Sequence, residues 1–223
     1  MGHVERTGGR ERRASDETGD AVIVEAAIAA MFENGYHGTS VREIADRAGM
    51  SVANVYYYFQ SKHDLLFQFM DNSAKQLLAQ LEDAVSRAPD EPAARLAVVV
   101  RVFVERHTLR QAAAFVAATE LRALDDDARA TVVSRRNAIE ALFREVVRDG
   151  VQRGAFTAED PHLAVRAILD MASSVSSWYR AGGGMSGAEI ADRYVALALA
   201  LVGALPNGGG EPSAGSTGEP VSR

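Results

Sequence analysis

Glycine and proline residues divide this sequence into long segments with helical periodicity. They fall at 35–38, 49, 89–92, 150–154, 161, 182–187 and throughout the stretch after 206. The segments between them are rich in Ala, Leu, Val, Arg and Glu, and their apolar residues recur every three or four positions. No segment sustains the alternation of period two that is typical of half-buried strands. The sequence therefore predicts an all-α fold.

The composition limits the class of protein. The chain has 223 residues, 47% of them hydrophobic, which is enough for one ordinary domain and a small one. It contains no cysteine, which excludes disulfides, thiolate metal sites and Cys nucleophiles and favours a reducing compartment. No apolar run reaches about 18 residues and the first 20 residues are polar, so we expect a cytoplasmic protein without a membrane contact. The net charge of −6 argues mildly against nucleic acid as a partner.

Both ends of the chain have the composition of disordered segments. Residues 1–19 are charged, and residues 206–223 read "PNGGGEPSAGSTGEPVSR", with few large apolar groups in either stretch. We predict disordered tails at both places. The scattered arginines of the first tail are diluted by acidic residues, which favours simple solvation over a DNA-binding arm.

Three short helices are predicted between residues 20 and 59. The stretch "DAVIVEAAIAAMFENG" carries one apolar stripe and ends at a glycine. The stretch "TSVREIADRAG" is capped by Thr39 or Ser40 and also ends at a glycine. Ser51 then caps a helix over Val52–Phe59. Two helices joined by a tight turn that contains glycine are typical of a helix-turn-helix, whose second helix lies in the DNA major groove.

The third of these helices has three consecutive tyrosines, which cannot all face one core because a helix turns about 100° per residue. The predicted inward stripe consists of Val52, Val55, Tyr56 and Phe59. The predicted outward face consists of Ala53, Asn54, Tyr57 and Tyr58. A small residue allows close approach to bases, an amide can bond an adenine edge, and phenols can donate to phosphates. The alternative is that Tyr57 and Tyr58 pack against the following helix.

The segment "TSVREIADRAGMSVANVYYYFQSKHDLL" resembles the DNA-binding segment of the TetR family of bacterial repressors, and the upstream "AAIAAMFENGYHGTS" is similar to that family's first helix and turn. The likeness is carried by Thr39, Val41, Ile44, Ala45, Ala48, Gly49, Ser51, Val55, Tyr56, Tyr58, Phe59, Ser61, Lys62 and Leu65. It implies that base edges are approached by Arg42, Ser51, Val52, Ala53 and Asn54. It implies backbone contacts from Ser40, Tyr57 and Tyr58 and a phosphate contact from Lys62. Relatives commonly carry Gly or Lys and then Ser or Thr where this chain has Ala53 and Asn54.

Lys62 also has a structural interpretation, that of a solvated lysine at a helix start. A cation at that end of a helix opposes the helix dipole, which favours a functional reason for its presence.

Six further helices are predicted in the second half of the chain. They lie near 63–87, 91–107, 109–123, 126–149, 160–180 and 186–205. In "VALALALVGAL", residues 195–205, apolar groups surround the helix, so it must be covered on all sides. A symmetric four-helix interface with a second copy would cover it, and the resemblance implies the same homodimer. Burial within one subunit is the alternative.

The C-terminal part is similar to a narrower branch of that family. "RRNAIEALFREVVRDGVQRGAF" and "AILDMASSVSSWYRAGGGMSGAEIADRYVALAL" resemble repressors of lipid, sterol and other acyl catabolism, whose effectors are often CoA thioesters. The stretch from Trp178 to Gly183 carries this likeness. Some relatives use an Arg and a Trp to hold the CoA moiety, and this chain has Leu169 and Ser173 at the aligned places.

A ligand-responsive protein of this kind needs an apolar cavity with a few polar anchors. The candidate ligand-binding residues are Phe103, His107, Phe115, Thr119, Glu120, Phe143, Met171 and Trp178. Ordinary core packing is the alternative for each of them. His107 and Glu120 are the better candidates, because both stand among apolar residues and a buried polar group without a partner costs about 1–3 kcal/mol. The alternative for these two is that they are exposed.

Together with the helix-turn-helix pattern, the resemblance implies a ligand-responsive repressor that binds a palindromic operator as a homodimer and is released by a small hydrophobic effector, such as an acyl-CoA. The predicted domains are a DNA-binding domain at 20–64 and an effector-binding and dimerisation domain at 65–205. The alternative is a ligand-independent DNA-binding or architectural protein. An enzyme is not expected, because the chain lacks a phosphate loop, HExxH, G-x-S-x-G and close Asp/His spacing. We expect neither a cofactor nor a metal.

Overall fold

The computed structural model describes the backbone of residues 8–204 and the side chains of residues 19–204. Every regular element in this range is a helix, which confirms the all-α prediction. The helices are α1 (Gly8–Gly38), α2 (Val41–Ala48), α3 (Val52–Tyr58), α4 (Lys62–Arg87), α5 (Pro92–Leu109), α6 (Gln111–Thr119), α7 (Asp126–Gln152), α8 (Pro161–Ser173), α9 (Val175–Trp178) and α10 (Gly187–Leu201). A 3₁₀ turn over Glu120–Ala123 follows α6. Over the described range, no helix is both long enough and apolar enough to cross a membrane.

The first helix is longer than the sequence pattern indicates. It begins at Gly8 and therefore includes residues 8–19, which were predicted to belong to a disordered tail. This stretch contains three Arg and two Glu, whose high helix propensity favours a helix in front of the buried part. The predicted C-terminal tail at 206–223 lies outside the described residues.

The predicted caps define the short helices. The Ser40 hydroxyl accepts the Glu43 N–H at 3.1 Å and begins α2, and Gly49 ends it with a φ of 66°. Glycine adopts this left-handed backbone conformation at little energetic cost because it has no Cβ. The Ser51 hydroxyl accepts the Asn54 N–H at 3.1 Å and begins α3. Of the two possible caps for α2, Ser40 is the one that the structure uses.

Two hydrophobic clusters divide the core. The first joins α1, α2, α3 and the start of α4 to α6 and the start of α7, with Ile23, Ile44, Leu66 and Val116 fully buried. The second cluster joins the rest of α4 and α7 to α5, α8 and α10. Although α6 follows α5 in the chain, its buried residues belong to the first cluster. The helix-turn-helix therefore shares a core with α6, and α1 is the helix that packs directly on α6.

The helix predicted at 160–180 is interrupted at Ser174, which separates α8 from α9. Three serine hydroxyls around this point bond back to carbonyls: Ser174 to Met171 at 2.7 Å, Ser176 to Ser173 at 3.0 Å and Ser177 to Ser174 at 2.6 Å. Such bonds compete with the helical pattern of the backbone and favour a break.

The last helix, α10, is covered on one side. Ile190 and Ala198 are buried in the second cluster, whereas Leu197 is 51% exposed and Leu201 is 40% exposed. On α8, Leu163 is 65% exposed. These exposed leucines give the subunit apolar surface on α8 and α10.

Candidate nucleic-acid interface and effector cavity

The third helix presents a different face from the predicted one. Val55 and Phe59 are buried as expected, but Tyr58 is half-buried and packs against the first cluster. Tyr56 was predicted to face inward and is 52% exposed, and Val52 is 38% exposed. The inward placement of Tyr56 and Val52 is therefore wrong. At 100° per residue, the buried face of α3 is rotated by about 60° from the predicted stripe.

The rotation has a cause on α1. A Cβ atom built at Gly19 would lie 2.4 Å from the Tyr58 hydroxyl oxygen, so the glycine leaves the space that the phenol occupies. Tyr58 thus packs against the first helix. The Tyr57 ring meets the Tyr58 ring edge to face, with 5.1 Å between their centroids.

The exposed face of α3 combines small, amide and phenol side chains. It consists of Val52, Ala53, Asn54, Tyr56 and Tyr57. Tyr57 is 74% exposed, in agreement with its predicted outward position. Tyr56 adds a second phenol that the sequence pattern assigned to the core. This face offers van der Waals contact and hydrogen bonds but no charge.

Charge near this face comes from Arg42 on α2. Its side chain is exposed, and its guanidinium has no hydrogen bond or ion pair with any atom of residues 19–204. Ser40 and Ser51 are also exposed, and each hydroxyl accepts a capping hydrogen bond. A hydroxyl that accepts keeps its own O–H free to donate to a phosphate.

Arg47, which the sequence pattern did not single out, links α1 to α2 at the surface of the protein. Its guanidinium donates to both carboxylate oxygens of Glu33, at 3.0 and 2.6 Å, and to Glu43 at 3.0 Å. The hydrogen bonds from Arg47 lower the pKa of Glu33. A bidentate pair fixes geometry as well as adding energy. Arg47 therefore connects α2 to α1 at the surface of the protein.

Lys62 lies at the start of α4 but turns its ammonium group toward the end of α1. Nζ donates to the carbonyl oxygens of Tyr36 and Thr39, both at 2.7 Å, and lies 4.1 Å from the centroid of the Tyr36 ring. Burial lowers the pKa of Lys62. An ammonium group has three donors, and two are used here, so a phosphate contact would have to use the third.

A cavity of about 500 Å³ lies between α4, α5, α6, α7 and α8. Of the eight residues predicted to bind a ligand, Phe103 and His107 line it. The cavity wall does not include Phe115, Thr119, Glu120, Phe143, Met171 or Trp178.

These six side chains have other surroundings. Phe143 is fully buried in the second cluster, and Phe115 packs edge to face on Phe32 of α1, with 5.2 Å between their centroids. Thr119 and Glu120 are hydrogen-bonded to each other at 3.4 Å at the end of α6, and Trp178 is 42% exposed. Met171 is half-buried on α8.

Four arginines line the cavity, and none of them was predicted to do so: Arg106, Arg110, Arg136 and Arg166. Within residues 19–204, no carboxylate oxygen lies within 4 Å of Arg106, Arg136 or Arg166. The Arg136 guanidinium donates to the Ala117 carbonyl at 2.6 Å, and burial lowers the pKa of Arg136. Two carboxylates, Glu140 and Asp170, also line the wall. The four arginines and two carboxylates give the cavity wall a formal net charge of +2.

His107 is the buried polar group of the cavity wall. Its Nδ1–H donates to the Phe103 carbonyl at 2.7 Å, and its ring stacks on the Phe103 ring with 4.4 Å between centroids. Burial lowers the pKa of His107, so the ring is neutral at pH 7. A neutral ring that donates from Nδ1 leaves Nε2 as an acceptor.

Small side chains leave the space that forms the cavity. Ala113, Ala114, Ala117 and Ala118 of α6 all line the cavity, opposite Met70, Leu77 and Ile139. Leu169 and Ser173, the two positions aligned with CoA-binding residues of relatives, are also in the wall. The cavity therefore combines an apolar part with an arginine-rich part.

Two family models match the chain. "Bacterial regulatory proteins, tetR family" matches residues 23–69, and "Tetracyclin repressor-like, C-terminal domain" matches residues 89–202. The second model alone covers just over half of the chain. Together the matches span the helix-turn-helix and α5, α6, α7 and α8 of the cavity wall, and the cavity-lining part of α4 lies between the two matched ranges.

Curated proteins and solved structures agree with these matches. The HTH-type transcriptional repressor KstR2 of Mycobacterium tuberculosis is 27% identical over 179 residues, which are 79% of this chain and 89% of that protein. A regulatory protein in the tetR family from Rhodococcus RHA1 superposes with a TM-score of 0.78 at 31% identity, covering 84% of this chain and 98% of that one. The structure of the ketosteroid transcriptional regulator KstR2 of M. tuberculosis superposes with a TM-score of 0.75 at 25% identity, covering 81% and 93%. The chain therefore belongs to the TetR family of transcriptional regulators.

Proposed function

We propose that this protein is a homodimeric repressor that binds a palindromic operator and is released by a small amphipathic effector, such as an acyl-CoA. The observation that carries the proposal is the arginine-rich cavity, which lies in one subunit with an exposed, capped helix-turn-helix. The helix-turn-helix would bind the operator, and the cavity would bind the effector that controls this binding.

The exposed face of α3 has the chemistry for base and backbone contacts. Ala53 allows the helix to approach the groove floor, and the Asn54 amide can pair with an adenine edge. The hydroxyls of Tyr56 and Tyr57 can donate to phosphates, and Arg42 supplies a cation that is not engaged within residues 19–204. The first turn of a recognition helix is the part that reads bases, which agrees with the small and amide residues placed there.

Dimerisation is supported by the apolar surface on α8 and α10. Leu163, Leu197 and Leu201 are exposed in a single subunit, and large apolar patches mark interaction sites. A second copy that packs these helices against its own would bury them in a symmetric four-helix interface. A two-fold dimer also places two recognition helices on successive major grooves, about 34 Å apart.

The cavity favours an effector with an apolar part and an anionic part. Its volume of about 500 Å³ lies in the range that binds small molecules, roughly 300–1,000 Å³. Arginines without carboxylate partners favour phosphate or carboxylate groups, and the alanine and leucine walls favour hydrocarbon. The relative KstR2 is described as a ketosteroid regulator, which supports an apolar ligand. A ligand-independent protein would be favoured by a cavity too small for a metabolite, and this cavity gives that alternative no support.

Effector and operator would then oppose each other through linkage. An effector that binds better when the recognition helices are wrongly spaced lowers DNA affinity, and DNA lowers effector affinity by the same factor. Couplings of about 1–3 kcal/mol are typical, which corresponds to roughly 5- to 150-fold in affinity.

A mobility-shift titration on DNA upstream of the protein's own gene, and on fragments selected by the protein, tests the proposal. Arg42→Ala should weaken specific binding, because the resemblance places its guanidinium at a base edge, and loss of its positive charge should reduce the slope of log affinity against log salt by up to about 0.9. Arg87→Ala is the matched control, because Arg87 is exposed at the far end of α4 and pairs with Asp83. Binding without sequence preference would contradict the operator-binding repressor and favour an architectural DNA-binding protein. Equal affinities and equal slopes for wild type and Arg42→Ala would contradict the Arg42 contact.

Two further measurements test the dimer and the effector. Leu197→Glu should convert the protein to a monomer in sedimentation, with loss of palindrome binding. Acyl-CoA thioesters of graded chain length should release the operator complex. If no such ligand changes operator affinity, the effector half of the proposal fails.

A further inference from the structure

Arg106 and Arg110, one turn apart at the end of α5, stand between two pockets. The first is the 500 Å³ cavity, and the second is a pocket of about 290 Å³ bounded by α1, α4 and α6. Both arginines line both pockets, together with Ser73 and Ala113. The two guanidinium groups thus form part of a wall that the effector would touch from one side and α1 touches from the other.

On the α1 side, Arg110 forms an ion pair with Glu25. Both side chains are about half exposed, at 47% and 57%. Glu25 lies on the same helix as Ile23 and Ala27, which are fully buried in the core of the DNA-binding half. The pair therefore links the cavity wall to the helix that carries the helix-turn-helix.

Arg106 has no such partner. Among residues 19–204, its guanidinium makes only long contacts with neutral oxygens, at 3.3 Å to Ser73 Oγ and 3.4 Å to Gln76 Oε1. Burial, and then the neighbouring charge of Arg110, lower the pKa of Arg106. The single carboxylate of Glu25 is thus the only anion within 4 Å of this arginine pair among residues 19–204.

We propose that the anionic group of the effector binds Arg106 and Arg110 together and displaces Glu25 from Arg110, so that α1 loses its ion pair with the cavity wall and keeps only its apolar packing on α6. This inference rests on the proposed function, because it requires an effector in the cavity. Two guanidinium groups one turn apart can donate to the oxygens of one phosphate or carboxylate, which is the geometry that arginine supplies best. Arg110 can turn toward either pocket because it lines both.

Displacement makes Glu25 a competitor of the effector. Exposed ion pairs contribute about 0.2–1 kcal/mol, so removal of Glu25 should raise effector affinity by roughly 1.5- to 5-fold. The same removal should weaken operator binding by a similar factor in the absence of effector, because the tie that positions α1 is lost. Opposite shifts in the two affinities are the signature of a competing intramolecular carboxylate.

The first test uses two probes that share an acyl thioester and differ in charge. Octanoyl-CoA carries phosphates, and S-octanoyl-N-acetylcysteamine carries none. By calorimetry, Glu25→Gln should raise the affinity for octanoyl-CoA by 1.5- to 5-fold and leave that of the neutral probe unchanged. Arg110→Gln should lower the affinity for octanoyl-CoA. Asp192→Asn, which removes the exposed partner of Arg101 elsewhere on α5, is the matched control and should change neither affinity.

The second test needs no effector. In a double-mutant cycle on the selected operator, Glu25→Gln and Arg110→Gln should each weaken binding, and the double variant should be no weaker than the single ones. Additive losses would show that the two side chains act separately and would overturn the inference.

The outcomes separate this inference from the proposed function. If wild type binds octanoyl-CoA and Glu25→Gln binds it with the same affinity, Glu25 does not compete and the inference alone fails. If wild type binds the operator but neither probe, the amphipathic effector fails and the displacement fails with it. If wild type binds no specific DNA, the regulator itself is contradicted.

Discussion

Lys62 holds Tyr36 by two contacts, a hydrogen bond of 2.7 Å from its ammonium group to the Tyr36 carbonyl and a separation of 4.1 Å between Nζ and the centroid of the ring. With the second hydrogen bond, to Thr39, the lysine closes the end of α1 onto the start of α4. The α1–α2 connection that precedes the helix-turn-helix is thereby fixed to α4, the helix that runs on into the cavity wall.

Lys62→Met should reduce both stability and operator affinity. Loss of charged hydrogen bonds to two carbonyls costs about 1.5–3 kcal/mol in the free energy of unfolding. Operator affinity should fall because α2 and α3 are no longer held in position, and the slope of affinity against salt should stay close to that of wild type. Denaturant titration and mobility shifts at two salt concentrations measure these quantities.

Tyr36→Leu is the companion variant, since it keeps both carbonyls and removes only the ring. It should cost about 0.5–2 kcal/mol, the contribution of a cation–π contact between half-buried partners. A Lys62→Met protein of unchanged stability with a salt slope smaller by about 0.9 would show instead that Lys62 contacts a phosphate.

The three consecutive tyrosines should separate into two classes. Tyr56→Phe and Tyr57→Phe remove exposed hydroxyls, so each should change stability by less than about 0.5 kcal/mol. Each should weaken operator binding by up to about tenfold, the value of one hydrogen bond. Tyr58→Ala should destabilise the fold by about 1–2 kcal/mol, because its ring packs over Gly19. If Tyr56→Phe lowered stability and left DNA binding unchanged, Tyr56 would lie in the core, as the sequence pattern predicted.

Helix ends could be predicted because their chemistry is local. Ser40 and Ser51 precede apolar stripes, and Gly49 stands where a left-handed residue ends a helix. The face of α3 could not be predicted in the same way. A helix of seven residues has few apolar positions, and contact with Gly19, far away in the chain, decides which of them are buried.

The cavity was only partly predictable for a related reason. Apolar and aromatic residues were expected to line it, yet Phe143 fills the core and Phe115 packs on α1. Arginines on amphipathic helices are normally solvated, so only the packing of the helices shows which ones point inward. A usable signal was present in "RHTLRQAAAFVAA", residues 106–118, where basic residues one turn apart are followed by a run of alanines that leave space.

Gly150 of α7 should not tolerate a methyl group. A Cβ atom there would lie 2.1 Å from the Phe156 ring, and Phe156 is buried. Gly150→Ala must displace this ring and should cost about 1–3 kcal/mol, as overpacking does. Gly184→Ala is the control, because nothing lies within 4 Å of its Cβ position. Thermal unfolding compares the two, and equal midpoints would show that the Phe156 region adapts without strain.

His107 should make stability fall with acid. Its folded-state pKa lies below the ordinary value near 6.5, because burial disfavours the charged ring. The unfolded state therefore takes up the proton first, so the stability present above pH 6.5 is lost as the pH falls from there toward the folded pKa. Between pH 7.5 and 5.5, protonation of His107 in the unfolded state lowers the free energy of unfolding by up to about 1.4 kcal/mol.

His107→Gln should flatten that part of the profile in urea titrations, although it costs stability at neutral pH by weakening the contact with Phe103. Carboxylates also contribute to acid sensitivity, so the difference between the two profiles is the quantity that matters. Parallel profiles would mean that the ring is protonated in the folded state, with a pKa near its ordinary value.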